Sequence, residues 1–166
     1  MKKLVGRKPE IQVLKKALQS DEAEMIAVIG RRRVGKTFLV KTIYKEHIVF
    51  SITGTQNTPL QEQLSNFSYW LNEYANTKIP YKTPNNWLEA FQLLITFLKS
   101  KKNPQKTVVF FDELPWLASQ RSGFLRGLSF FWNSWAVDQS IVVVICGSAA
   151  SWMIQKVVNH TGGLHN

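Results

Sequence analysis

Residues 25–37 read MIAVIGRRRVGKT: five apolar residues, a glycine, four free positions, a second glycine, then Lys-Thr. Two readings compete for the run of arginines. It is either a basic handle for nucleic acid or part of a loop that cradles phosphates. Glycine makes up about 7% of residues on average, so two fixed glycines ahead of Lys-Thr arise by chance in a chain of this size on the order of one time in a hundred. Context adds more than the count, because the loop follows an apolar strand pattern and opens a helix pattern, as phosphate binding requires.

Each letter then has a chemical task. Gly30 and Gly35 let the backbone turn its N–H groups toward the phosphates, where a side chain would block approach. The start of the next helix adds partial positive charge. Lys36 reaches the β- and γ-phosphates as a point charge, and Thr37 offers its hydroxyl to Mg²⁺. Arg31, Arg32 and Arg33 fill free positions, either solvated or loosely steering the anion. The expected nucleotide contacts from this stretch are Gly30, Arg31, Arg32, Arg33, Val34, Gly35, Lys36, Thr37 and Phe38.

Outward from the loop, four short apolar runs read as strands: 25–29 (MIAVI), 48–52 (IVFSI), 107–111 (TVVFF) and 141–145 (IVVVI). They do not alternate with polar residues, the mark of parallel strands covered on both faces. Helical patterns separate them at 9–19, 36–45, 59–75, 86–100 and 123–137. The fourth helix aligns Trp87, Phe91, Leu94 (with Ile95) and Leu98, and the fifth aligns Phe124, Leu128, Phe131 and Trp135. Alternating strands and helices predict an α/β fold with a mostly parallel sheet and right-handed crossovers. Phe130, Phe131, Trp132 and Trp135 could stack bases, but their spacing fits a core face better.

A phosphate loop needs an acidic partner, and VVFFDE (108–113) supplies it at the carboxyl end of a strand, where open α/β sheets bind ligands. Asp112 is expected to hold Mg²⁺ through its water shell. Glu113 is expected to orient or deprotonate the attacking water. Alone, two acids after an apolar run are commonplace; behind a phosphate loop they gain meaning. The fourth strand ends ICGSAAS, placing Ser148 and Ser151 at the same sheet edge. Ser148 either senses the γ-phosphate and holds water, or belongs to a turn in which Gly147 bends the chain and a serine caps a helix.

Composition sets the limits. The 166 residues are 45% hydrophobic, with 21 Lys and Arg against 11 Asp and Glu, a net charge of +10. That suits one domain with a true core, and a field that favours polyanions. Lys2, Lys3, Lys15, Lys16, Lys99, Lys101, Lys102 and Lys106 are the candidate nucleic-acid surface. Cys146 is the only cysteine, so an intrachain disulfide is excluded, and its apolar neighbours make it a buried small hydrophobe. No run nears the roughly 18 apolar residues that cross a bilayer, and Gly6, Arg7 and Lys8 interrupt any leader-like start. The chain reads as cytoplasmic. The three histidines, His47, His160 and His165, fall on unrelated segments and suggest no metal cluster.

These motifs together resemble the nucleotide-binding domain of prokaryotic P-loop ATPases of the AAA+/STAND group, the archaeal-type ATPases. LVGRKPEIQVLKKAL (4–18) is similar to their N-terminal Gly-Arg box, GRRRVGKT to Walker A, VVFFDELPWLA to Walker B, and ICGSAASWM to sensor 1. The resemblance implies a three-layer P-loop fold of the additional-strand type, strand order 5-1-4-3-2, and ATP with Mg²⁺ as ligands. It also implies that Val5, Gly6 and Arg7 border the base, that Thr37 and Asp112 hold the metal, and that Lys36, Glu113 and Ser148 serve catalysis. No fifth apolar run follows 141–145. The chain is therefore expected to be the N-terminal portion of a larger protein, without its fifth strand, its lid or an evident arginine finger. Arg121 and Arg126 are the only late arginines.

The leading expectation is Mg-ATP binding with slow hydrolysis that drives a conformational switch. GTP fits less well, because no Asn-Lys-x-Asp stretch is present. Phosphoryl transfer to a small molecule fits the Asp-Glu pair less well than water activation does. The alternative is a DNA- or RNA-binding module regulated by nucleotide. A homo-oligomer or partner protein, engaged through the missing C-terminal part or the aromatic helix, is a further expectation.

Overall fold

The computed structural model describes residues 7–31, 35–119 and 121–148. Among these, the chain runs α1 (Lys8–Gln19), β1 (Glu24–Ile29), α2 (Lys36–Ile43), β2 (Ile48–Thr53), α3 (Leu60–Ala75), α4 (Trp87–Ser100), β3 (Thr107–Asp112), α5 (Leu114–Leu117), α6 (Phe124–Ser134), a 3₁₀ turn (Ala136–Asp138) and β4 (Ile141–Gly147). The strands form one sheet in the order β1-β4-β3-β2. Every pairing is parallel.

The sheet explains why the strands carry no polar residues along most of their length. Val108, Phe110, Val142, Val144 and Cys146 pack on one face against Leu14, Ala17, Leu39, Val40 and Tyr44 of the α1–α2 layer. Val109, Phe111, Val143 and Ile145 face the other way, onto α3, α4 and α6. Three layers result, as expected. Phe124, Leu128 and Phe131 are each fully buried, and burying such a side chain stabilises the fold by about 2 kcal/mol. Phe91 lies between Phe111 and Phe124, with ring centroids 5.6 and 5.4 Å away. α4 and α6 approach so closely that a Cβ on Gly127 would sit 2.6 Å from the Phe91 ring. Phe131 and Trp132 are therefore core residues, with Phe130 and Trp135 half-buried against the same cluster.

Helix ends depart from the sequence reading where the chain must re-aim. α6 stops at Ser134 rather than running to 137. Trp135 takes φ −144° and ψ −56°, and the 3₁₀ turn then delivers the chain to β4. Trp135 still packs on Phe131, with centroids 5.8 Å apart. α2 ends at Ile43 instead of 45, because Tyr44 turns inward. Its ring is fully buried, and its hydroxyl donates to the Leu14 carbonyl at 2.7 Å. α4 is capped by Asn86, whose side chain accepts from the Glu89 N–H at 2.9 Å, satisfying one of the first-turn donors.

Lys106 corrects the expected basic surface. Its ammonium is buried and donates to the carbonyls of Ala17, Ser20 and Glu22. It ties the end of α1 to the start of β3. Desolvation lowers its pKa, while the charges of Glu24, Asp21 and Glu22 oppose that shift. Lys15, Lys16, Lys99, Lys101 and Lys102 are exposed. However, α1 and α4 lie on opposite faces of the sheet, so Lys15 and Lys16 are in a different layer from Lys99. Lys2 and Lys3 lie outside the described residues.

Candidate nucleotide site

The site forms where β1, β4 and β3 end side by side. The Gly30 N–H donates to the Gly147 carbonyl at 3.4 Å, so the loop begins against the end of β4. Gly35 closes the loop as the N-cap of α2, with φ 81° and ψ 24°, a left-handed conformation that glycine adopts without strain. Its carbonyl accepts from the Leu39 N–H at 2.9 Å, starting the helix.

Lys36 is 9% exposed. Its Nζ folds back over the loop and donates to the carbonyls of Gly30 at 3.0 Å and Arg31 at 2.5 Å. Thr37, one residue on, points at β3. Its hydroxyl donates to Asp112 Oδ2 at 2.5 Å. Asp112 is 4% exposed, and its other oxygen, Oδ1, accepts from the Glu113 N–H at 2.9 Å. The Asp112 carbonyl accepts from the Gly54 N–H, also at 2.9 Å. The buried carboxylate thus accepts a hydrogen bond at each oxygen, which offsets the cost of removing it from water.

Glu113 is half-buried and adopts φ 53° and ψ 51°, a left-handed geometry that costs a non-glycine residue about 1–2 kcal/mol. The turn places it at the start of α5, and its carbonyl accepts from the Trp116 N–H at 3.0 Å. Ser148 follows β4 directly, and β4 lies between β1 and β3. Ser148 therefore leaves the sheet between the loop at Gly30 and Asp112. Phe38 is 37% exposed on α2. Arg7 caps α1 and lines, with Glu10, Val13, Ile29 and Lys36, a cleft of about 360 Å³ between α1 and β1. Arg31 is exposed at the rim. Val5, Gly6, Arg32, Arg33, Val34 and Ser151 lie outside the described residues.

Cys146 sits beneath the acidic pair on β4. Burial first, then the Asp112 carboxylate, push its thiol up to about 12, with Lys36 pulling the other way. The thiol stays protonated and inert, the small buried hydrophobe that its apolar neighbours suggest.

Residues 4–166 match the family described as an ATPase domain predominantly from Archaea. The chain belongs to that family. As an archaeal-type ATPase domain it is 27% identical to the uncharacterized protein MJECL04 of Methanocaldococcus jannaschii, over 97% of this chain and 33% of that protein. Its fold is similar to the Walker-type ATPase PABY2304 of Pyrococcus abyssi (TM-score 0.62, 18% identity, 92% of this chain and 48% of that one). It is also similar to Aeropyrum pernix ORC1 in complex with DNA (0.69, 13%, 98% and 44%), and to Drosophila ORC bound to DNA (0.61, 18%, 97% and 47%). The archaeal-type ATPase domain here spans about a third of that curated relative and under half of each of these solved chains. Among its described residues, no helix is long and apolar enough to cross a membrane.

Proposed function

We propose that this domain binds Mg-ATP at the sheet edge that carries Gly30, Gly35, Lys36, Thr37, Asp112, Glu113 and Ser148, with Arg7 toward the base, and hydrolyses it slowly to drive a conformational switch. One observation carries the reading: the Thr37 hydroxyl and the Asp112 carboxylate, 75 residues apart in sequence, meet at 2.5 Å, one residue after a Lys36 whose ammonium is folded over the loop. A hydroxyl and a carboxylate at one point suit Mg²⁺, which takes one or two protein ligands and fills the rest with water and phosphate oxygens. Thr37 and Asp112 would hold Mg²⁺, which would supply charge neutralisation for the phosphates.

The chain's own groups have separate tasks. Lys36 exchanges its two loop carbonyls for phosphate oxygens, so the ammonium is already positioned before nucleotide arrives. Backbone N–H groups of the loop and the start of α2 receive the anion. Glu113 accepts the proton of the attacking water or orients it. On this reading Ser148 would contact the γ-phosphate and Arg7 would border the base. Replacing Glu113 by Gln tests the assignment. The variant should bind Mg-ATP as wild type does and cleave it at least 100-fold more slowly, a ratio within the range for a positioned base. Equal cleavage by both proteins would remove Glu113 from the mechanism.

A second reading has its own support. The net charge is +10, and two proteins of similar fold are seen with DNA. On this reading Lys99, Lys101 and Lys102 meet a phosphate backbone. Affinity should then fall steeply between about 50 and 200 mM salt, and their removal should abolish it while leaving ATP affinity intact.

A further inference from the structure

The turn that carries Glu113 is gripped from outside the two nucleotide motifs. Gln63, in the first turn of α3, is 4% exposed. Its Nε2 donates to the Thr55 carbonyl at 2.9 Å and to the Trp116 carbonyl at 3.0 Å, and its Oε1 accepts from the Thr55 N–H at 3.4 Å. One amide thus holds both main-chain polar groups of Thr55, just after β2, and joins them to α5. Trp116 in turn donates its N–H to the Glu113 carbonyl.

Gly54 closes the other side. Its N–H binds the Asp112 carbonyl. A Cβ there would lie 2.6 Å from the Glu113 carbonyl oxygen and 3.0 Å from the Leu117 N atom. Both are backbone atoms, which cannot rotate aside. The left-handed Glu113 is therefore over-determined by its surroundings, as such residues must be to persist.

We propose that Gln63 and Gly54 are positioning residues for Glu113. Gln63 fixes the loop after β2 to α5, and Gly54 admits that loop close enough to hold the turn. This rests on the reading of Glu113 as the residue that handles water. Among the described residues, the clamp touches no loop or metal residue other than Asp112, through its main chain, so nucleotide affinity should be insensitive to it and cleavage should not.

Gln63→Glu keeps the shape and the acceptor for Thr55 but removes both donors. Gly54→Ala presses on the same turn from the opposite side. In the whole chain, each should leave the dissociation constant for Mg-ATP within about threefold of wild type. Each should slow single-turnover ATP cleavage at least tenfold, and amide exchange at 116–118 should quicken in Gln63→Glu. The double variant should be no slower than the worse single one, because both act through one turn and such effects do not add. Thermal midpoints monitor folding, and Gly54→Ala supplies the test if Gln63→Glu fails to fold. Cleavage at the wild-type rate in both variants, with Glu113→Gln slow, overturns the clamp alone. Affinity and rate falling together in both overturns it too. Wild-type cleavage in Glu113→Gln overturns the parent reading and takes the clamp with it.

Discussion

Lys106→Met isolates what a buried cation contributes to this fold. Methionine keeps the stem's packing and loses the ammonium. Three carbonyl acceptors are then stranded, at Ala17, Ser20 and Glu22. The bond to Ala17 is the buried one, so its acceptor bears the full cost of an unmade hydrogen bond, about 1–3 kcal/mol. Glu22 is exposed and Ser20 is half-buried, so water replaces much of what they lose. The sum is about 2–4 kcal/mol, reduced at its upper end because burial disfavours the ammonium to begin with. At 2–4 °C per kcal/mol for a domain of this size, the melting midpoint should fall by roughly 5–15 °C. Circular dichroism at neutral pH reads it, with the exposed Lys16→Met as control. A drop under 2 °C, matching the control, would refute the tether. Nucleic-acid affinity gives an independent check: Lys106→Met should leave it unchanged, whereas a loss equal to that of Lys101→Ala would put the ammonium back on the surface.

Two shorter predictions concern the core. Gly127→Ala gains about 1 kcal/mol of helix propensity but drives a methyl to within 2.6 Å of Phe91 and 3.1 Å of the Trp87 carbonyl; overpacking costs about 1–3 kcal/mol, so denaturant unfolding should show a net loss of stability, and a gain would mean that α4 and α6 separate freely. Cys146 ties stability to pH: its thiol is held up to about 12 from an unfolded value of 9.0, so the unfolded chain binds fewer protons above pH 9. This contribution is full below about 9 and is lost as pH rises toward 12, at about 1.4 kcal/mol per unit. The stability difference between wild type and Cys146→Ala should shrink over that window, and a constant difference would contradict the shift.

Much of this was legible in the sequence because the governing signals are local. Four apolar runs gave the strands, since a parallel sheet covered on both faces has no polar face to alternate with. Gly35 at the start of α2, with Thr37 meeting Asp112, was legible because Gly-Lys-Thr between an apolar strand pattern and a helix pattern, with an acid ending a later strand, is a local signal. Tertiary geometry hid the rest. Lys106 reads as one of a run of surface lysines until the end of α1 closes over it. Trp135 fits a helical stripe, yet the need to reach Ile141 breaks the helix one turn early. α5 is four residues long and contains Pro115, too short for periodicity to register. Gln63 and Gly54 are ordinary letters in their segments. Only the meeting of β2, α3 and α5 makes them neighbours of Glu113.

The central claim is that Lys36 and its loop form a nucleotide cradle, and thermal stability with Mg-ATP tests it most directly. Ligand at 100 times its dissociation constant stabilises a fold by about 2.7 kcal/mol, roughly 5–10 °C here. The account predicts that shift for wild type with ATP, little with GTP, and none for Lys36→Ala. An equal shift in Lys36→Ala, or none in wild type at millimolar Mg-ATP, would contradict it.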